Sequence, residues 1–288
     1  MKSVIQSILA IIILSACSAG LSLKNSSSLV QVNAPAGNFL GEGEENFYVF
    51  KGIPYAQPPV GDLRWKAPKN LSAKDEVIDA TKFKSECIQP GTEGLIPNRN
   101  VSVGSEDCLY LNIYIPKNQT DLDKNQFPVM FWIHGGSNIW GSGDFYDFSK
   151  LATTQQVIVV TINYRLGLFG WFSSEHLRNT ATGLDKSSNF GQLDLIKGLE
   201  WVQENISAFG GDKDNITIFG ESAGGHNVLT LLASPLSEGL FHKAISQSGY
   251  VSSYTQKFAE EESELSSKKI FEEETKFLVS DAEVADYL

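Results

Sequence analysis

The segment Gly220-Glu221-Ser222-Ala223-Gly224 concentrates the residue types that chemistry needs. A serine hydroxyl becomes a nucleophile when a neighbouring base takes its proton. Ser222 follows Ile216-Thr217-Ile218-Phe219, an apolar run of buried-strand type, and precedes His226 to Ala233, which suits a helix. A sharp strand-to-helix turn presents a serine outward, and small residues at Gly220 and Gly224 let the backbone close around it. The helix amino terminus adds unpaired N–H groups and partial positive charge near the reacting oxygen. A bare G-x-S-x-G recurs by chance as a structural turn; the strand before and the helix after favour the nucleophile reading. Glu221 stands beside the nucleophile as a supporting residue.

Acyl transfer also requires donors for a tetrahedral oxyanion. Trp132-Ile133-His134-Gly135-Gly136-Ser137 closes an earlier apolar run with a glycine-rich turn. The N–H groups of Gly136 and Ser137, with that of Ala223 after the nucleophile, are the expected oxyanion hole. Taken alone, the same residues are a β-turn at the end of a strand. The base is harder to find. The chain has 4 histidines, His134, His176, His226 and His242, and the first two precede Ser222. In a fold of this kind the acid and then the histidine follow the serine. His226 lies one turn along the same helix and would point along it. His242 sits in Phe241-His242-Lys243-Ala244-Ile245-Ser246, which reads as the next strand.

The elements that must position these groups are legible in outline. Phe127 to Ile133, Val157 to Ile162 and Ile216 to Phe219 are continuous apolar runs, as in strands covered on both faces of a parallel sheet. A helix is predicted from about Phe190 to Ala208, where Leu193, Ile196, Leu199, Val202 and Ile206 recur every three or four residues. Strand, helix and strand in that order make a crossover unit. Leu29 to Ala56 carries strand and hairpin signals, and residues 57–69, with Pro58, Pro59, Gly61 and Pro68, are loop.

Several segments together resemble the type B carboxylesterase and cholinesterase family. They are Phe50 to Ala56, Pro58-Pro59-Val60-Gly61, Leu63-Arg64-Trp65, Ser105 to Asn112, Asn163-Tyr164-Arg165-Leu166-Gly167, Asn189 to Asp194, Phe209-Gly210-Gly211-Asp212 and Phe219 to Gly224. They run in the family's order from about residue 30 to about residue 250. The resemblance implies an α/β-hydrolase fold, with a mostly parallel central sheet and helices on both faces. It implies hydrolysis of carboxylic esters with Ser222 as the acylated residue, Gly136, Ser137 and Ala223 as the oxyanion hole, and a Cys87–Cys108 disulfide. Two departures stand out: Ser137, where many members have a third glycine, and Asn138, where an aromatic is common. A backbone N–H donates at Ser137, so a small side chain is tolerated if the φ/ψ is open to it. Asn138 alters the pocket wall.

Composition bounds the remaining readings. The chain has 288 residues and a net charge of −11 with no basic run, which argues against a nucleic-acid partner. Residues 251–288 hold 10 acidic residues and 4 lysines and read as solvated helix surface. Neither a metal nor any other cofactor is expected, since no metal-ligand spacing of Cys or His is present.

Residues 1–16 read as a signal peptide: Lys2 is followed by an apolar stretch from Val4 to Leu14, too short to span a bilayer. Leu14-Ser15-Ala16-Cys17 resembles a bacterial lipobox, which would make Cys17 the lipidated first residue, holding an exported protein on the cell envelope. The alternative is simple cleavage and secretion. Residues 17–28 read as a flexible tether and 29–288 as a partial hydrolase domain. With Cys17 lipidated, Cys87 and Cys108 remain of the 3 cysteines, as an oxidised pair or as two buried thiols.

The domain is expected to stop before the family's carboxy-terminal half, because acid and base are missing and Ser280-Asp281-Ala282-Glu283 opens a helix that Leu288 cuts short. A separate second half is then a candidate partner, beside a small-molecule ester. The competing readings are a non-catalytic cholinesterase-like binding module and an inactive split-gene or pseudogene product.

Overall fold

A computed structural model describes residues 28–72, 76–93, 96–117 and 126–262. The expected signal segment, Cys17, the expected tether up to Asn25-Ser26-Ser27 and the expected capping box at Ser280 lie outside the described residues.

The amino-terminal strands are β1 (Ser28–Ala34), β2 (Gly37–Gly43), β3 (Phe47–Pro54) and β4 (Val77–Asp79). A hairpin of β5 (Gln89–Glu93) and β6 (Ile96–Val103) stands apart as a two-stranded sheet. Then come β7 (Tyr110–Pro116), β8 (Phe127–Ile133), helix α1 (Ser149–Gln155) and β9 (Ile158–Ile162). Two short helices, α2 (Gly167–Gly170) and α3 (Glu175–Thr180), lead to α4 (Phe190–Asn205). β10 (Gly211–Glu221), α5 (Ala223–Ala233) and β11 (Lys243–Gln247) follow.

The main sheet runs β1-β2-β3-β7-β9-β8-β10-β11, with β4 beside β2. It is mixed. From β9 through β8 and β10 to β11 every pairing is parallel. From β1 to β9 by way of β2, β3 and β7 every pairing is antiparallel. The parallel sheet expected from the apolar runs is therefore the half that carries the site. For the strands from β1 to β3 and for the parallel half, the reason is connection length. A turn of two or three residues after β1 or β2 can only return the chain antiparallel, whereas parallel neighbours need a crossover long enough to hold a helix.

The apolar runs are buried on both faces over most of their length; the start of β8 alternates, with Pro128 exposed and Met130 half-buried. Phe131, Ile133, Val160 and Ile218 face a core shared with α4 and α5. Trp132, Val159 and Phe219 face a smaller cluster that includes Ala152 of α1. Helices thus cover both faces. All five predicted apolar positions are buried, four in α4 and Ile206 just beyond it, and so are Phe190, Leu195, Trp201 and Asp194. Its end differs from the expectation: after Asn205 the chain tightens into a 3₁₀ turn, Ile206–Phe209, closed by Gly210 at φ 83°. No helix among the described residues is long and apolar enough to cross a membrane.

Candidate active site

Ser222 occupies the junction between β10 and α5 and has φ 55° and ψ −120°. Few non-glycine residues adopt such a backbone, and surrounding structure must hold it there. The Ser222 N–H donates to the Gln247 carbonyl on β11, 2.9 Å away, and the His226 N–H donates to the Ser222 carbonyl as α5 begins. The helix opens three residues earlier than the helix-compatible run suggested, directly after the serine.

The small residues flanking Ser222 are explained by contact. A Cβ on Gly224 would stand 2.0 Å from the Ile133 carbonyl oxygen, and one on Gly220 2.6 Å from the Gly224 backbone. Both would meet backbone, which cannot step aside. The same closeness brings the glycine-rich turn to Ser222: a Cβ on Gly135 would lie 3.2 Å from Ser222 Cβ and 3.1 Å from a Glu221 carboxylate oxygen. Glu221 therefore sits beside the turn as well as beside the serine.

The turn itself is wound left-handed. Gly136, Ser137 and Asn138 have φ of 96°, 58° and 57° in succession. Gly136 has no room for a side chain, since a Cβ would meet the Trp140 carbonyl at 1.9 Å. Ser137 does adopt the conformation that a third glycine would favour, at a cost of about 1–2 kcal/mol. Among the described residues, the N–H groups of Gly136, Ser137 and Ala223 donate to no backbone carbonyl. The three expected oxyanion donors thus come from two segments packed against each other around Ser222.

His134 anchors the start of the turn. Its ring is buried and stacks on Tyr164 with centroids 4.4 Å apart. Nδ1 lies 2.8 Å from the Gly135 carbonyl, so a neutral ring carries its proton there and donates. Burial lowers its pKa from 6.5 to about 4, against the Gly135 hydrogen bond and the field of Asp144, which work the other way. Tyr164 Oη donates to the His134 carbonyl at 2.6 Å.

The other histidines have tasks of their own. His226 Nδ1 contacts the Tyr250 carbonyl, and its ring packs on Tyr250. His242 Nδ1 accepts from the Ile216 N–H at 3.1 Å just before β11. His176 lies on α3. Among the described residues, the rings of His134, His226 and His242 are thus turned to partners other than Ser222.

Cys87 and Cys108 form a disulfide with a Cα–Cα distance of 4.9 Å. It staples the start of the β5 hairpin to the entry of β7. Beside it Arg64 pairs with Glu106 through Nε and Nη2 at 2.6 and 2.5 Å, joining two of the recognised motifs. Arg165 and Asp194, from two others, form a buried pair. No group of three or more His, Cys, Asp or Glu side chains suited to a metal occurs among the described residues.

Sequence reasoning missed the polar contacts behind the turn. Asn227 is 1% exposed, and its Nδ2 donates to Asn138 Oδ1 at 2.9 Å. Asn138 drew notice only as a departure, and nothing in the sequence pairs it with a residue 89 positions later.

A half-parallel sheet with helices on both faces, and a serine on the strand-to-helix turn of its central parallel strands, define an α/β-hydrolase. The Carboxylesterase family model matches residues 28–286, and the chain belongs to that family. It is 47% identical over 220 residues to the para-nitrobenzyl esterase of Bacillus subtilis (strain 168), covering 76% of this chain and 43% of that protein. It is 44% identical over 239 residues to carboxylesterase 1E of Rattus norvegicus, covering 77% of this chain and 41% of that one. Among solved structures, a thermophilic PNB esterase superposes with a TM-score of 0.76 at 39% identity, over 88% of this chain and 50% of that chain. A carboxylesterase of Geobacillus stearothermophilus gives 0.73 at 40% identity, over 88% and 52%. The chain spans about half or less of the length of these relatives.

Proposed function

We propose that the protein hydrolyses carboxylic esters of small molecules through an acyl-enzyme on Ser222. Ser222 Oγ attacks the ester carbonyl carbon while its proton passes to a base. The tetrahedral oxyanion is held by the N–H groups of Gly136, Ser137 and Ala223. The carbon–oxygen bond to the alcohol breaks as the alcohol takes the proton, and water then cleaves the acyl-serine by the same route. One observation carries this reading: a serine at φ 55° and ψ −120° against the glycine-rich turn, with donors on both sides. A binding module has no use for that strained serine.

The base and its acid come, in this reading, from sequence that corresponds to the half of the relatives this chain does not span, either continuous with it or as a separate partner. The engagement of His134, His226 and His242 elsewhere supports this. The test is hydrolysis of p-nitrophenyl butyrate by the protein alone and together with such a carboxy-terminal half. Ser222→Ala is expected to lower the rate by about 10⁴-fold or more. Turnover that survives this substitution would refute the acyl-enzyme.

The protein is also proposed to sit on the bacterial cell envelope through a lipid on Cys17, on the strength of the Leu-Ser-Ala-Cys junction. Cys17→Ser should then move it from the membrane to the soluble fraction. Equal partition of the two forms would exclude the anchor.

A further inference from the structure

An oxyanion hole made from two segments works only if both are held in register. Here one segment is the left-handed turn at Gly136 and Ser137, and the other is the first residue of α5. The turn is tied to itself by the Ile139 and Trp140 N–H groups, which both donate to the Gly136 carbonyl. It is tied to the loop after β9 by the Gly167 N–H, which donates to the Asn138 carbonyl at 2.7 Å. None of these bonds reaches α5. Asn227 of α5 reaches the turn directly through Nδ2 to Asn138 Oδ1, and less directly through Tyr164, whose hydroxyl meets both Asn227 and the His134 carbonyl.

The geometry suits that task. Asn227 lies four residues after Ala223, on the same face of α5, and helical side chains lean toward the amino terminus. Its side chain therefore points back toward the turn. Asn138 follows the two loop donors directly and holds φ 57°, a conformation that asparagine tolerates better than most residues. Tyr164 closes the cluster. Its hydroxyl, bonded to the His134 carbonyl, lies 3.5 Å from Asn138 Oδ1. Burial pushes the Tyr164 phenol well up, against a hydrogen bond with Asn227 that works the other way, so it stays protonated. A satisfied polar cluster in a dry setting fixes one arrangement of its members.

We infer that Asn138 and Asn227 are a positioning pair, whose direct side-chain hydrogen bond, backed by Tyr164, holds the oxyanion turn in register with the nucleophile's helix. The pair acts through the backbone donors, and its catalytic consequence rests on the esterase reading above. Loss of the bond lets the turn drift relative to Ala223, and a displacement near 1 Å at such a site costs on the order of 100-fold in rate.

The test uses Asn138→Gly, which keeps the left-handed backbone and removes the acceptor, with Asn227→Ala and the double variant. Two quantities are read on the full chain: amide hydrogen exchange over residues 134–140, and Ser222-dependent hydrolysis of p-nitrophenyl butyrate with its carboxy-terminal half supplied. Each single variant should raise exchange in the turn about tenfold and lower kcat by about 10- to 100-fold with KM nearly unchanged. The double variant should add little to either. Asn138→Asp, which retains the acceptor, should recover most of the loss. Unchanged exchange in the turn, or effects that simply add, would overturn the pair. If no Ser222-dependent turnover is found, the esterase reading fails and exchange alone decides the pair.

Discussion

Ser222 and the three residues Gly136 to Asn138 all hold positive φ, and each of the non-glycine positions stores on the order of 1–3 kcal/mol of strain. His134 packs at the start of that turn. Its ring is neutral in the fold because burial has lowered its pKa to about 4. The sign of the consequence follows. An unfolded chain carries this histidine at about 6.5, so below that pH it binds a proton the native state refuses. Stability from the neutral ring is full above pH 6.5 and is lost as the pH falls toward 4. The loss is on the order of 3 kcal/mol. Urea denaturation at pH 7 and at pH 4.5 should show it, and His134→Gln, which cannot titrate, should flatten that part of the pH dependence. An identical pH slope in the variant would mean that other groups carry the effect.

At the scale of elements, the site exists because β8, β10 and α5 approach at backbone distance. Gly220 and Gly224 make that approach possible, and the buried Arg165–Asp194 pair fixes what lies behind it. Asp194 accepts from the Arg165 backbone N–H, from Nε and from Nη2 at 3.0, 2.8 and 2.8 Å, and so pins the loop after β9 to α4. With both partners nearly fully buried, removing either leaves an uncompensated charge, at a cost of about 3–5 kcal/mol. That loop carries Tyr164, which holds the His134 carbonyl, so the ion pair reaches the glycine-rich turn through a single intervening residue. The disulfide works on another element. It closes a 21-residue separation and stabilises the folded state by about 3 kcal/mol, mainly through the unfolded chain.

At the scale of the molecule, the sheet has a rim. Among the described residues β11 pairs with β10 alone. Around it Ile245, Tyr250, Val251 and Tyr254 are 46%, 66%, 84% and 74% exposed. An unpaired strand flanked by apolar side chains is a template for another chain. The protein alone should therefore self-associate as its concentration rises in sedimentation velocity runs. Ile245→Lys with Val251→Lys should shift it toward monomer. A chain that stays monomeric throughout, with or without those lysines, would show that the rim is covered. A supplied carboxy-terminal half should suppress the association as the two lysines do.

Local patterns sufficed for much of this. A continuous apolar run specifies a strand buried on both faces, because every side chain must leave water. A glycine on each side of Ser222 specifies a tight turn, and spacing of three and four specifies α4. Each is a statement about neighbours in the chain, and each is met by the fold. What tertiary structure alone decided is contact between residues far apart in sequence. The antiparallel pairings of β3 with β7 and of β7 with β9 join strands more than 40 residues apart in the chain. The loss of charge on His134 depends on Tyr164 and the closed core around it. The Asn138–Asn227 bond joins a turn residue notable only as a departure to a helix residue with no sequence signal, and only packing α5 against the end of β8 brings them within 2.9 Å.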